Sequence, residues 1–218
     1  MQIQNHIISG IPVFKVNDSM KKVVLFFETT AFSHVAVTEN GRYLGLLSEN
    51  DVENFKIDET IEGYRYNLED FFVGKETNWL DVLEVFARND SNLLPILGDE
   101  GKVLGYYDLT DVVGVFIDTP FFTDPGNILV IAKGIKDYSF SEVVQIVESN
   151  NAKFIGGFVT NITNDVVQIT IKIGTPNFND VAQTFRRYGY NIIFGNMEDK
   201  FLEDLKGRSA YLDKYLNV

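Results

Sequence analysis

Gly41-Arg42-Tyr43-Leu44-Gly45 returns as Gly101-Lys102-Val103-Leu104-Gly105, sixty residues later. Around this pair the likeness spreads. Asp51-Val52 returns as Asp111-Val112 and Phe26 as Phe86. Val13 aligns with Val73, Met20 with Leu80, Val23 with Leu83 and Val37 with Leu97 at the same spacing. An internal repeat of this length marks a supersecondary unit used twice, and two like units packed together leave clefts between them.

Each unit spells the same order. In the first, Ile7-Ile8 and Ile11-Pro12-Val13 form an extended lead-in that includes His6. Asp18 or Ser19 opens a helix carrying Met20, Val23, Val24 and Phe27 on one face. Val35-Ala36-Val37 reads as a buried strand, Glu39-Asn40-Gly41 as a turn, and Tyr43 to Leu47 as a second strand. Ser48 to Phe55 is a short helix. In the second unit Thr77 or Asn78 opens a helix with Leu80, Leu83 and Phe86. Leu94-Pro95-Ile96-Leu97 and Val103 to Tyr107 are strands around the Asp99-Glu100-Gly101 turn, and Asp108 to Phe116 is the closing helix. Asp58 to Gly63 reads as a polar linker.

After Phe116 the character changes. Thr119 to Gly126 carries two prolines and a glycine and reads as a boundary loop. A strand from Asn127 to Ile131 follows, then a helix from Ser139 to Ser149, opened by a capping-box pattern at Ser139-Phe140-Ser141-Glu142. Phe154 to Thr160 is apolar and β-rich, with Gly156-Gly157 marking a bulge or a close backbone approach. Val167, Ile169, Ile171 and Ile173 alternate with polar residues, which is the pattern of a half-buried antiparallel strand. A helix from Phe178 to Tyr188, with Val181, Phe185 and Tyr188 inward, and a strand from Tyr190 to Phe194 complete a β-α-β-β-α-β order, the ferredoxin-like pattern. From Met197 to Val218 the apolar residues Phe201, Leu202, Leu205, Leu212, Tyr215 and Leu216 recur at helical spacing, for packing on the chain's own domains or for a subunit contact.

Composition excludes several functions. The 218 residues hold no cysteine, so disulfides, thiolate metal sites and cysteine nucleophiles are absent. A net charge of -12 opposes binding to nucleic-acid backbones. The N-terminus lacks a signal-peptide layout, and no apolar run is long enough to span a bilayer. A cytoplasmic protein is expected. His6 and His34 are the only histidines, no ligand cluster suits a metal, and no phosphate loop of the Gly-x-x-x-x-Gly-Lys type exists. No catalytic constellation appears, and the chain is expected not to be an enzyme.

The repeats resemble a tandem pair of CBS domains. The resemblance rests on the element order, on Leu94-Pro95-Ile96-Leu97, and on two Gly-x-x-x-x-x-Asp heptads ending each unit, Gly45 to Asp51 and Gly105 to Asp111. The last region resembles an ACT domain by element order and by Asp137, although Tyr138-Ser139-Phe140 stands where Pro-Gly is usual. A CBS pair followed by an ACT-like domain resembles the acetoin-utilisation B proteins of bacteria. The expected fold is α+β: CBS repeat 1 (1–57), a linker (58–67), CBS repeat 2 (68–118), a linker (119–126), an ACT-like domain (127–196) and a helical tail (197–218).

The resemblance implies an adenine-containing ligand in the clefts between repeats, with AMP, ATP or S-adenosylmethionine as regulatory ligand, no covalent cofactor, and a homodimer. It places Ser48 at a phosphate and Asp51 at the ribose of one site, with Asp108 and Asp111 at the second. A carboxylate suits vicinal hydroxyls because its oxygens only accept. Free N–H groups at a helix start suit a phosphate. Val35 and Val37, or Pro95 and Ile96, are candidates for an apolar adenine slot. Ser48 and Asp108 read equally well as helix caps. The heptad glycines suit a close crossing of backbones. A carboxylate at Asp108 repels an anion, so the second cleft should prefer an uncharged nucleoside, a cationic adenosyl compound or a metal-bridged phosphate.

Overall fold

The computed structural model describes residues 3–195 and divides the chain into two compact units, 1–118 and 119–218. The helical pattern read between Met197 and Val218 lies outside the described residues.

The first unit holds two three-stranded sheets of the same build. In repeat 1, β1 (Phe14–Lys15), α1 (Met20–Thr29), β2 (His34–Glu39), β3 (Arg42–Ser48) and the single-turn α2 (Glu49–Val52) follow in order. In repeat 2 the series is β4 (Val73–Gly74), α3 (Trp79–Arg88), β5 (Leu93–Leu97), β6 (Val103–Asp108) and α4 (Leu109–Ile117). In each sheet a short parallel strand joins an antiparallel hairpin. Ser19 and Asn78 cap α1 and α3, as the sequence predicts.

The repeat is not uniform. The capping residues Ser19 and Asn78 are 59 apart, and so are Phe14 and Val73, which pair with Val37 and Ile96. Only from β3 onward does the spacing become 60, as between Gly45 and Gly105. The second hairpin holds one more residue than the first, between Leu97 and Val103. The expected partners are therefore corrected by one position. Val23 matches Val82, Phe27 matches Phe86 and Val37 matches Ile96. The buried face of α3 is accordingly Val82 and Phe86, while Leu80 is 58% exposed.

The lead-ins are exchanged between the repeats. Ile8 and Tyr106 hydrogen-bond mutually through their backbones at 2.8 and 2.9 Å, and Leu46 and Glu69 do the same at 2.8 and 2.9 Å. Each repeat thus adds a single-residue antiparallel bridge to the edge of the other's three-stranded sheet. This explains the heptad glycines. A Cβ on Gly45 would stand 2.8 Å from Leu68 Cβ, and one on Gly105 would stand 2.7 Å from Ile8 O. Ile3 to His6 is a short 3-10 helix with Ile3 buried, not extended chain. The expected linker 58–67 is folded structure: Ile61 is fully buried in the repeat 1 core, and Arg65 forks onto Glu39 at 2.9 and 2.7 Å.

In the second unit, α5 (Pro120–Thr123), β7 (Asn127–Gly134), α6 (Phe140–Ser149), β8 (Lys153–Thr163), β9 (Val166–Gly174), α7 (Phe178–Arg187) and β10 (Asn191–Gly195) follow in order. The sheet order is β10-β7-β9-β8, all antiparallel. Val143, Ile146 and Val147 of α6 and Val181 and Phe185 of α7 share one core with Ile169, Ile171 and Ile173, so both helices cover the same face. This is the expected ferredoxin-like layout, with strands longer than the sequence suggested. Ser139 caps α6 by accepting from the Glu142 N–H at 3.1 Å. The Glu142 carboxylate does not complete a capping box. It takes Lys133 Nζ and the Tyr190 hydroxyl, each at 2.7 Å. Tyr188 caps the end of α7 and is 48% exposed rather than inward. Gly156 follows a register shift, and a Cβ there would meet the Phe121 ring at 2.7 Å.

Candidate functional site

The two heptads end at matching places. His34 pairs with Ser48 at the end of the first hairpin, and Leu93 pairs with Asp108 at the end of the second. The residues before them, Ser33 and Asn92, clasp each other across the repeats. The Ser33 N–H donates to Asn92 Oδ1 at 2.8 Å, and the Asn92 N–H donates to Ser33 Oγ at 2.9 Å. Their carbonyls then receive the first N–H of each following helix, Glu49 to Ser33 at 2.9 Å and Leu109 to Asn92 at 3.0 Å. Ser48-x-x-Asp51 and Asp108-x-x-Asp111 are therefore hung from one cross-repeat clasp.

The caps are as the sequence allowed. Ser48 Oγ accepts the Asp51 N–H at 3.2 Å, and Asp108 Oδ1 accepts the Thr110 N–H at 2.6 Å. Ser48 is buried, and α2 is only four residues long, so it offers an anion little of a helix dipole. Asp51 is half-buried, and among the described residues its carboxylate has no hydrogen-bond partner. Asp111 is exposed.

Val35, Val37 and Ile96 are fully buried, and Pro95 is buried. Val35 and Val37 face the repeat 1 core while Ala36 between them faces the core shared by both repeats. An apolar adenine slot lined by these side chains is therefore not open here. The strand is covered on both faces, and only its backbone and its end remain for a ligand.

Ser33, Asn92 and Glu69 belong to no motif in the sequence, yet the fold brings them together around His34. His34, the first residue of β2, is 5% exposed. Its Nδ1 lies 2.8 Å from Ser33 Oγ and its Nε2 3.5 Å from Glu69 Oε1, and its ring meets Phe71 edge-on at 5.2 Å. Burial lowers its pKa below the ordinary imidazole value, opposed by Glu69 and then by Asp51 and Asp90. The signal available was a pair of polar residues, Ser33-His34 and Ser91-Asn92, at the head of each apolar strand.

A separate cavity of about 680 Å³ opens at the hairpin end of the repeat 1 sheet, lined by Lys15, Thr38, Glu39, Asn40 and Glu62 among others. Ser48 lies at the opposite end of the same hairpin. Among the described residues there is no group of three or more His, Asp or Glu side chains placed to hold a metal ion, and no helix long and apolar enough to cross a membrane.

The CBS domain model matches residues 3–56 and 68–118, the two repeats of this geometry. The first unit is a tandem CBS domain pair. A CBS domain pair/ACT domain protein from Thermotoga maritima is 20% identical with a TM-score of 0.48, covering 54% of this chain and 98% of that one. The CBS domains of a transcriptional regulator from Streptococcus pneumoniae are 17% identical with a TM-score of 0.47, covering 52% and 98%. An uncharacterized protein of Methanocaldococcus jannaschii is 21% identical over 142 residues, 65% of this chain. The match spans about half of that relative's length, 52%. CBS pairs are regulatory modules that commonly bind adenosyl ligands, and the clasped ends of β2–β3 and β5–β6 carry the two heptads of this one.

Proposed function

We propose that the chain is a non-enzymatic sensor whose CBS pair binds an adenosyl compound beside Ser48 and Asp51. The observation that carries the reading is the Asp51 carboxylate. It stands half-buried at the cross-repeat clasp without a hydrogen-bond partner among the described residues, in the heptad that carries Ser-x-x-Asp. Two acceptor oxygens in that position suit the vicinal hydroxyls of a ribose. The ligand would contact the strand ends and backbone, since the flanking valines are enclosed. AMP, ATP and S-adenosylmethionine are the candidates.

The second cleft differs. Asp108 stands where Ser48 stands in the first, and its carboxylate repels a phosphate. It is suited to an uncharged nucleoside or to a cationic compound such as S-adenosylmethionine. The second unit has the element order and sheet of an ACT domain and would dimerise the protein or take a second ligand, the arrangement of the acetoin-utilisation B proteins. Binding would act on a regulated partner by favouring one arrangement of the units over another, which requires different affinities for the two.

Thermal-shift measurements with adenosine, AMP, ATP and S-adenosylmethionine test this. A true ligand raises the midpoint with concentration. Asp51→Ala should weaken binding at least about tenfold, equivalent to ~1.4 kcal/mol, with a smaller change in the ligand-free midpoint. A flat response across all four compounds, with the oligomer intact, would favour a scaffold that binds no small molecule.

A further inference from the structure

His34 is the one buried imidazole among the described residues, and both of its nitrogens meet groups tied to the other repeat. Nδ1 lies against Ser33 Oγ, which accepts from the Asn92 N–H and stands 3.0 Å from Asn92 Oδ1. Nε2 points at Glu69, whose backbone forms the two-bond ladder with Leu46. The ring's edge-on neighbour Phe71 comes from the same segment of repeat 2. A side chain of repeat 1 thus fastens the exchanged lead-in of repeat 2.

The equivalent position in repeat 2 is Leu93, opposite Asp108, and the equivalent exchanged ladder joins Ile8 to Tyr106. That half has no ionisable group at the matching place. The device is built once, in the repeat that keeps the Ser-x-x-Asp pattern.

We propose that His34 is a proton-operated bolt between the two CBS repeats. Neutral, it holds segment 68–71 on β3; protonated, it releases that segment. The charged groups acting on it are Glu69 from the exchanged segment, Asp51 from α2 and Asp90 from the loop before β5, all carboxylates. They favour a proton on the ring, yet enclosure at 5% exposure outweighs them, because a charged imidazole loses its hydration there. A proton on His34 is best accommodated when the Glu69–Leu46 ladder opens and water reaches the ring. The sign follows. A base whose pKa is lower in the folded state binds more protons when released, so the fastening is complete above the ordinary imidazole pKa of about 6.5 and is lost as the pH falls through the lowered value. No ligand is needed for this, so the bolt stands or falls apart from the adenosyl reading.

The full chain offers a direct test. With His6→Gln the remaining imidazole resonance belongs to His34, and an NMR titration should place its pKa below 6.5. Glu69→Gln, at a half-exposed position, should lower it further. Amide exchange then reads the ladder itself. Protection factors of Leu46 and Glu69 should fall severalfold relative to Ile8 and Tyr106 between pH 7.5 and pH 5.5. In His34→Leu, which copies Leu93, the ratio should stay constant. Titration at or above 6.5, a rise in Leu46 and Glu69 protection on acidification, or equal loss in both ladders would overturn the proposal.

Discussion

Repeat 1 and repeat 2 share a backbone plan and differ where that plan meets its partner. At the strand ends repeat 1 places His34, Ser48 and the visiting Glu69, whereas repeat 2 places Leu93, Asp108 and the visiting Ile8. In the strand itself Leu47 of repeat 1 becomes Tyr107. The scaffold was kept while the chemistry at its rim diverged. The clefts of a duplicated module are therefore independent sites, each to be read from its own residues.

The largest effect should come from the feature the halves share. Adding a methyl at Gly105 places it 2.7 Å from a backbone carbonyl, while at Gly45 the nearest backbone oxygen is 3.0 Å away. Both positions also sit at positive φ, +157° and +156°. Overpacking of this kind costs about 1–3 kcal/mol. Gly105→Ala should lower the denaturant midpoint more than Gly45→Ala. Equal or negligible losses would show that the exchanged lead-ins are free to move aside.

These glycines also show what could be read in the sequence. Their sixty-residue spacing was visible, and with it the α+β pair of like units. The turn residues were legible for a local reason: Asn40 and Gly41, like Glu100 and Gly101, adopt positive φ. Aligning on those turns then misplaced everything upstream by one residue, because the extra residue of the second hairpin lies just before its turn. Helix starts at Ser19, Asn78 and Ser139 were legible because a cap is a local bond. The clasp of Ser33 with Asn92 and the approach of Glu69 to His34 were not. They join residues far apart in the chain, through lead-ins whose exchange leaves no periodic mark. Enclosure of Val35 and Val37 escaped for the same reason, since it depends on what covers the outer face of the strand.

A middle-sized effect should come from making the halves alike. Asp108→Ser gives repeat 2 the hydroxyl of Ser48, which still accepts a helix-start N–H, and removes the carboxylate that opposes a phosphate. Anionic nucleotide binding at the second cleft should strengthen by about tenfold, ~1.4 kcal/mol, with folding stability nearly unchanged. Calorimetry would then count two sites for AMP where the parent shows one. A single site in both proteins would mean that Asp108 does not set the difference.

The smallest effect should come from Tyr107, one of two adjacent tyrosines that the repeat treats in opposite ways. Tyr106 faces the junction. Its hydroxyl donates to Pro12 O at 2.9 Å and accepts the Ala36 N–H at 3.2 Å, so it ties both lead-in and strand of repeat 1 to repeat 2. Tyr107 points the other way, into the core at the place Leu47 fills in repeat 1, and among the described residues its buried hydroxyl has no hydrogen-bond partner. Removing the first hydroxyl breaks two bonds and orphans a buried N–H, at a cost of about 1–3 kcal/mol. Removing the second discards a polar atom that has no partner among the described residues, so Tyr107→Phe should leave the denaturant midpoint level or raise it by up to about 1 kcal/mol of stability. A clear loss in Tyr107→Phe would show that its hydroxyl has a partner such as a buried water, and repeat 2 would then have a polar core where repeat 1 has an apolar one.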